Sequence, residues 1–227
     1  MGASHRIGMN DRRGGLTSPL FQSLLHIVIF SAVFAGMAFG GVIFASVSAS
    51  AQVTDFKLDP AKTTVKFELD ALLHKVDGTF QVEPSALQLD LAAGQASGEI
   101  AVSAKSAATG NTMRDRKMHK DVLESDQYPD IKFRPDRISG TVARSGKSSV
   151  MVHGTLRIHG VDRDISVPAV VEINGDSWTA TIHFTVPYEK WGMKNPSNLF
   201  LHVADTVEID LNAAGNVAPH GSAAHAQ

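Results

Sequence analysis

Trp178-Thr179-Ala180-Thr181-Ile182-His183-Phe184-Thr185-Val186 alternates apolar and polar side chains at every step. Successive side chains of a β-strand point to opposite faces, so this period of two means one buried face and one solvated face. The pattern recurs outward from this stretch. Ile165, Val167, Ala169, Val171 and Ile173 show it, as do Gly154, Leu156 and Ile158 set against Thr155 and Arg157. On the other side, Val203, Asp205, Val207, Ile209 and Leu211 oppose Ala204, Thr206, Glu208 and Asp210. Earlier in the chain come Val65, Phe67 and Leu69; Leu87, Leu89 and Leu91; Ile100, Val102 and Ala104; then Ile131 and Phe133.

These runs are separated by turn signals at Asp59-Pro60, Asp77-Gly78, Ser145-Gly146, His159-Gly160 and Asn174-Gly175-Asp176. The pattern predicts an all-β fold of about eight antiparallel strands. Their apolar faces must be buried against one another, which a closed barrel or a sandwich achieves; closure also removes unpaired edges. One segment breaks the period. Thr109–Asp121 is polar and charged, and Thr112 with Asp115 three residues on has the capping-box form, so one short helix is expected there, ending before Tyr128-Pro129.

The chain has 227 residues, 43% of them hydrophobic, a formal net charge of −2 and no cysteine. Without cysteine there is no disulfide scaffold, thiolate nucleophile or Cys-ligated metal centre. The near-neutral charge argues against a nucleic-acid partner. Residues 20–47 carry no charge, follow Arg6, Arg12 and Arg13, and run into Ala49-Ser50-Ala51. Basic, apolar, then small residues are the order of a secretory signal peptide over residues 1–51, cleaved after Ala51. An uncleaved anchor is the competing reading, because the apolar stretch is long enough to span a bilayer as a helix. A barrel domain is expected over residues 52–213. The small, polar residues 214–227 read as a disordered tail.

The order of several short stretches resembles the YceI-like family. They are Phe56-Lys57-Leu58-Asp59-Pro60, Gly78-Thr79-Phe80, Thr109-Gly110-Asn111 with Arg114-Asp115, and Tyr128-Pro129-Asp130-Ile131-Lys132-Phe133. Gly154-Thr155-Leu156-Arg157-Ile158-His159-Gly160-Val161 and Val203–Ile209 complete the set. The resemblance implies a periplasmic, lipocalin-like barrel that binds a polyisoprenoid or similar long-chain amphiphile without covalent chemistry. Two positions depart from the family pattern. Ala71 stands where a histidine is common, with His74 three residues on, and Lys117 replaces another, with His119 following.

The inward faces supply candidate ligand contacts at Phe67, Leu69, Val102, Phe133, Leu156, Ile158, Trp178, Ile182 and Phe184. From the residues alone, a self-filled core and a lipid tunnel fit these equally; the resemblance favours the tunnel. Near the helix, Asn111, Arg114, Asp115 and Met118 are further candidate ligand contacts, Arg114 holding a phosphate or other polar head through charge-assisted hydrogen bonds. The competing reading has Asn111 capping the helix and Arg114 and Asp115 bonding to neighbours. Trp191, beside Met193 in the segment Tyr188–Ser197, is a candidate rim residue. No His-x-His pair, nucleophile motif or phosphate loop is present, so no metal, cofactor or catalysis is expected. The expected partner is an isoprenoid or other long-chain lipid; a transient membrane contact and a homodimer are compatible with that reading.

Overall fold

The computed structural model describes residues 53–72, 74–197 and 202–220, so the expected leader lies outside the described residues. Ten strands run in chain order: β1 (Val53–Leu58), β2 (Thr64–Ala71), β3 (His74–Val82), β4 (Ala86–Asp90), β5 (Gln95–Ala108), β6 (Asp130–Ser139), β7 (Gly146–Ile158), β8 (Val161–Asn174), β9 (Ser177–Val186) and β10 (Val207–Pro219). Helix α1 (Thr112–Lys117) continues into one π-helical turn, Met118–Val122, between β5 and β6.

All neighbours pair antiparallel, and β5 pairing with β6 closes the sheet into a barrel. The expected all-β, lipocalin-like barrel with one short helix is therefore what the chain forms. Strands β5 to β10 run its full height. The remaining gap is bridged twice, in series. Near the helix, β10 pairs with β2, β2 with β3, and β3 with the second half of β5. At the far end, β10 pairs with β1, β1 with β4, and β4 with the first half of β5. Each level thus has eight strands, although the chain uses ten to build them.

The seam between the two short pairs is stitched by backbone and side chain. Leu58 N donates to Ser85 O at 2.9 Å and Asp59 N to Ala214 O at 2.8 Å. Ala214 N donates to Thr63 Oγ1 at 3.2 Å, and Ala101 N donates to Ser85 Oγ at 3.3 Å. Orphaned backbone groups at such a break would be costly, so these bonds are what allow the wall to stay closed there.

Four expectations are corrected. Strands β1 and β3 have no counterpart among the eight sequence runs, and Asp77-Gly78, read as a turn, lies inside β3. Strand β10 begins at Val207 rather than Val203, and it continues to Pro219, so residues 214–219 belong to the barrel and not to a tail. Val203 makes an isolated bridge to Ala71. Thr112 forms no capping box, because Asp115 turns back to Thr109; Asn111 is the N-cap, as the competing reading of that residue had it.

The helix end of the barrel also carries the β2–β3 turn, the β7–β8 turn and residues 187–197 and 202–206. The β7–β8 turn has two central residues with positive φ, His159 (+52°) and Gly160 (+73°), the requirement of a two-residue hairpin that follows strand twist. Gly160 is needed twice over, since a Cβ there would lie 2.7 Å from the Tyr128 ring. Tyr128 packs on the His159 ring with centroids 4.3 Å apart, and His159 Nε2 lies 2.8 Å from Glu124 Oε2. The hairpin thereby anchors the end of the helical connection to the wall.

Candidate ligand-binding cavity

Alternation places one side chain in two on the barrel interior, and these do not fill it. A cavity of about 600 Å³ runs along the barrel, within the range of about 300–1,000 Å³ usual for ligand pockets. Its far end is closed by buried side chains. Phe56 and Trp178 meet edge to face with ring centroids 5.6 Å apart, and Trp178 Nε1 donates to Lys57 O at 3.3 Å. Val142 and Val150, also buried, line the same end. The helix end is open: His74, Met113 and Lys117 line the cavity there and are exposed.

Of the residues expected inside, Phe67, Leu69, Val102, Phe133, Leu156, Ile158, Trp178, Ile182 and Phe184 all line the cavity, as do Met118 and Arg114. Asn111, Asp115 and Trp191 do not. Asn111 is a helix cap: its Oδ1 accepts from Met113 N and Arg114 N, each at 3.1 Å. Asp115 accepts from Thr109 N at 2.8 Å and from the Thr109 hydroxyl in a short contact. The Thr109 hydroxyl, with Arg114 and His119 nearby, holds the Asp115 carboxyl below its ordinary range. Arg114 donates from Nε to Thr109 Oγ1 at 2.7 Å and from Nη2 to Thr109 O at 3.0 Å. Two of its donor groups are thus committed to the helix start, as the competing reading held.

Trp191 stands over Arg163 instead of the cavity. The guanidinium carbon lies 5.8 Å from its ring centroid, and Arg163 Nη2 donates to Trp191 O at 3.1 Å. Its neighbour Met193 is the cavity residue, together with Tyr188. Burial pushes the Tyr188 phenol up to about 12, so it remains a neutral hydroxyl and donates to Ala204 O at 2.6 Å.

Ala104 breaks the parity of β5. Strand β3 pairs Thr79 with Ala108 but Gln81 with Ser103, so a bulge occupies the residues between. Ala104 and Ala107 are buried without lining the cavity, and Ala107 O accepts from His119 Nε2 at 2.9 Å. Bulges re-aim side chains in this way. Other lining residues escaped the sequence reading: Phe56 and Phe80 lie on the two strands it missed, and Met113 and His74 lie at the mouth. For Phe56 and Phe80 the signal was present as an aromatic in a short extended run.

The interior is thus a blind apolar tube with its few polar groups, Thr109, Arg114, Lys117 and His74, at the open end. Such a tube can take an extended apolar chain by burial alone and leave a polar head at the rim.

The YceI-like domain profile matches residues 56–214. A UPF0312 protein of Pseudomonas putida is 26% identical over 196 residues, covering 80% of this chain and 95% of its own length. Among solved structures, BcnA of Burkholderia cenocepacia superposes with a TM-score of 0.59 at 20% identity, over 70% of this chain and 99% of that one. A polyisoprenoid-binding domain from Saccharophagus degradans, described as implicated in plant cell wall breakdown, gives a TM-score of 0.58 at 16% identity, over 72% and 98%. At these identities the two structures speak to the fold.

Proposed function

The chain belongs to the YceI-like family, and on that premise we propose that its barrel binds a long-chain amphiphile of polyisoprenoid type without covalent chemistry. The observation that carries this is the unfilled apolar cavity, blind at Trp178 and open beside α1. Burial contributes roughly 25 cal/mol per Å² of apolar surface, so a long chain needs few polar contacts. The role is sequestration or carriage: the tail partitions into the tube and the head stays near Arg114 and Lys117. A domain named for polyisoprenoid binding shares the fold, which supports this ligand class. The protein acts in the periplasm after cleavage at Ala51, and it meets membranes transiently to take up and release its cargo.

A loading assay tests the chemistry. Delipidated protein is titrated with a long polyprenol and with a two-isoprene alcohol carrying the same head. The long chain raises Tm and the short one does so far less, since the buried area differs while the head does not. Equal shifts for both would overturn chain-length recognition by the cavity. An amino terminus at Gln52 on the exported protein checks the processing.

A further inference from the structure

Five large apolar side chains stand out as exposed among the described residues, and three of them sit at the open end of the barrel. Leu72 (67% exposed) is at the β2–β3 turn, Met113 (81%) is on α1, and Val161 (42%) follows the β7–β8 turn. In the eight-strand ring, β2–β3 and β7–β8 lie on opposite sides, so the apolar points are spread around the mouth. Four exposed cations share this end. Arg116 and Lys120 lie on the helical connection, and Lys190 and Lys194 in the segment after β9. None of the four has a carboxylate within 4.0 Å among the described residues. Of the acids at this end, Glu124 and Asp126 are engaged by His159 and Lys105, whereas Asp121, Glu189 and Asp205 have no cation within that distance among the described residues.

With Lys117, which donates to Pro196 O, five exposed cations on these two segments outnumber the three acids there without a cation partner. Apolar points beside such a cation excess, on a chain whose net charge is −2, form the pattern of a surface that settles into an anionic lipid interface. We propose that the helix end of the barrel is a membrane-docking face. Leu72, Met113 and Val161 enter the boundary between headgroups and acyl chains, while Arg116, Lys120, Lys190 and Lys194 meet the phosphates. This deepens the lipid-binding reading and rests on it: the cavity opens on the docked face, so an apolar chain passes between bilayer and barrel without crossing water.

The test is co-sedimentation of the full mature chain with vesicles of phosphatidylglycerol and phosphatidylethanolamine, or of phosphatidylcholine alone. Binding is expected to the anionic vesicles, to weaken with added salt, and to fall roughly fivefold for each charge removed in Lys190→Gln and Lys194→Gln. The double variant Leu72→Ser, Val161→Ser changes no cavity-lining residue. It should lose vesicle binding while retaining whatever lipid native mass spectrometry finds in the parent. Equal binding to phosphatidylcholine, or an unaffected double variant, overturns the docking face. A protein that holds lipid yet ignores anionic vesicles overturns docking and leaves the cavity reading intact. One that docks as described without ever loading a chain keeps the docking face and overturns the carriage reading.

Discussion

The ring of Phe67 lies against Gly78, its registered partner across β2 and β3, in space that a side chain at residue 78 would occupy. The absent Cβ lets the aromatic ring lie on the wall, where it also packs on Phe80 with centroids 5.2 Å apart. Gly78→Ala must displace Phe67 and also press on Ala108 O, which would be 2.8 Å away. Overpacking of this kind costs about 1–3 kcal/mol, readable as a lower denaturation midpoint. If Phe67 swings inward, lipid uptake should fall as well. Unchanged stability and uptake would show that the ring has another place to go.

Asn111→Ala should cost about 1 kcal/mol through the lost N-cap and leave the bound lipid unchanged, while Asn111→Asp should keep most of the stability. Equilibrium unfolding and native mass spectrometry read the two effects separately. A change in which lipid is retained would return Asn111 to the ligand's head.

Acid should loosen the helical connection before the barrel. The Thr109 hydroxyl depresses the Asp115 carboxyl below its usual 3.8. Its contribution is complete above that unfolded value and is lost as pH falls through the lower folded one. Protection of amides 112–122 against hydrogen exchange, taken relative to the intrinsic rate at each pH, should therefore fall toward the acid limit. In Thr109→Val that protection should already be low at neutral pH.

On the outer wall the sign is reversed. The hydrogen bond from His183 Nδ1 to Asp210, at 2.8 Å, raises the imidazole above its ordinary 6.5, with Glu208 adding to the effect. That contribution is present below the unfolded value and disappears as pH rises through the folded one. Because the side chain is 60% exposed, solvent screens the pair and the effect is small. Stability should decline slightly over that window, and Asp210→Asn should flatten the decline. A stability profile identical in both proteins would deny the pair any net contribution.

The strands most legible in the sequence, β8 and β9, are those whose inward positions are filled by apolar side chains at nearly every second residue. Strand β3 was hidden because Asp77-Gly78 has the chemistry of a turn, whereas Gly78 serves a close approach by Phe67. The end of β10 was hidden for a related reason. Gly215 faces Lys57 O and the Trp178 indole, which leave no room for a side chain and so no hydrophobic signal. Asn111 was legible as the cap, but the capping box read at Thr112 fails because Thr109, outside the helix, captures Asp115. Among site residues, alternation identified the deep apolar wall correctly. It failed at Ala104, behind a bulge, and at Trp191, whose partner is Arg163. Whether an apolar interior is filled depends on how side chains from all eight strands of the wall meet, which no single strand records.

The central claim is that the cavity is a lipid site. It is tested most directly by native mass spectrometry of the protein purified from its own cells, beside Ala180→Trp. Ala180 lines the cavity next to Ala213, so an indole there fills the bore while the outer wall is unchanged. The account predicts a stoichiometric adduct that extracts as an isoprenoid or other long chain, and its loss in folded Ala180→Trp. A clean apo mass that stays clean after incubation with long-chain lipids, or an adduct undiminished in the variant, would contradict it.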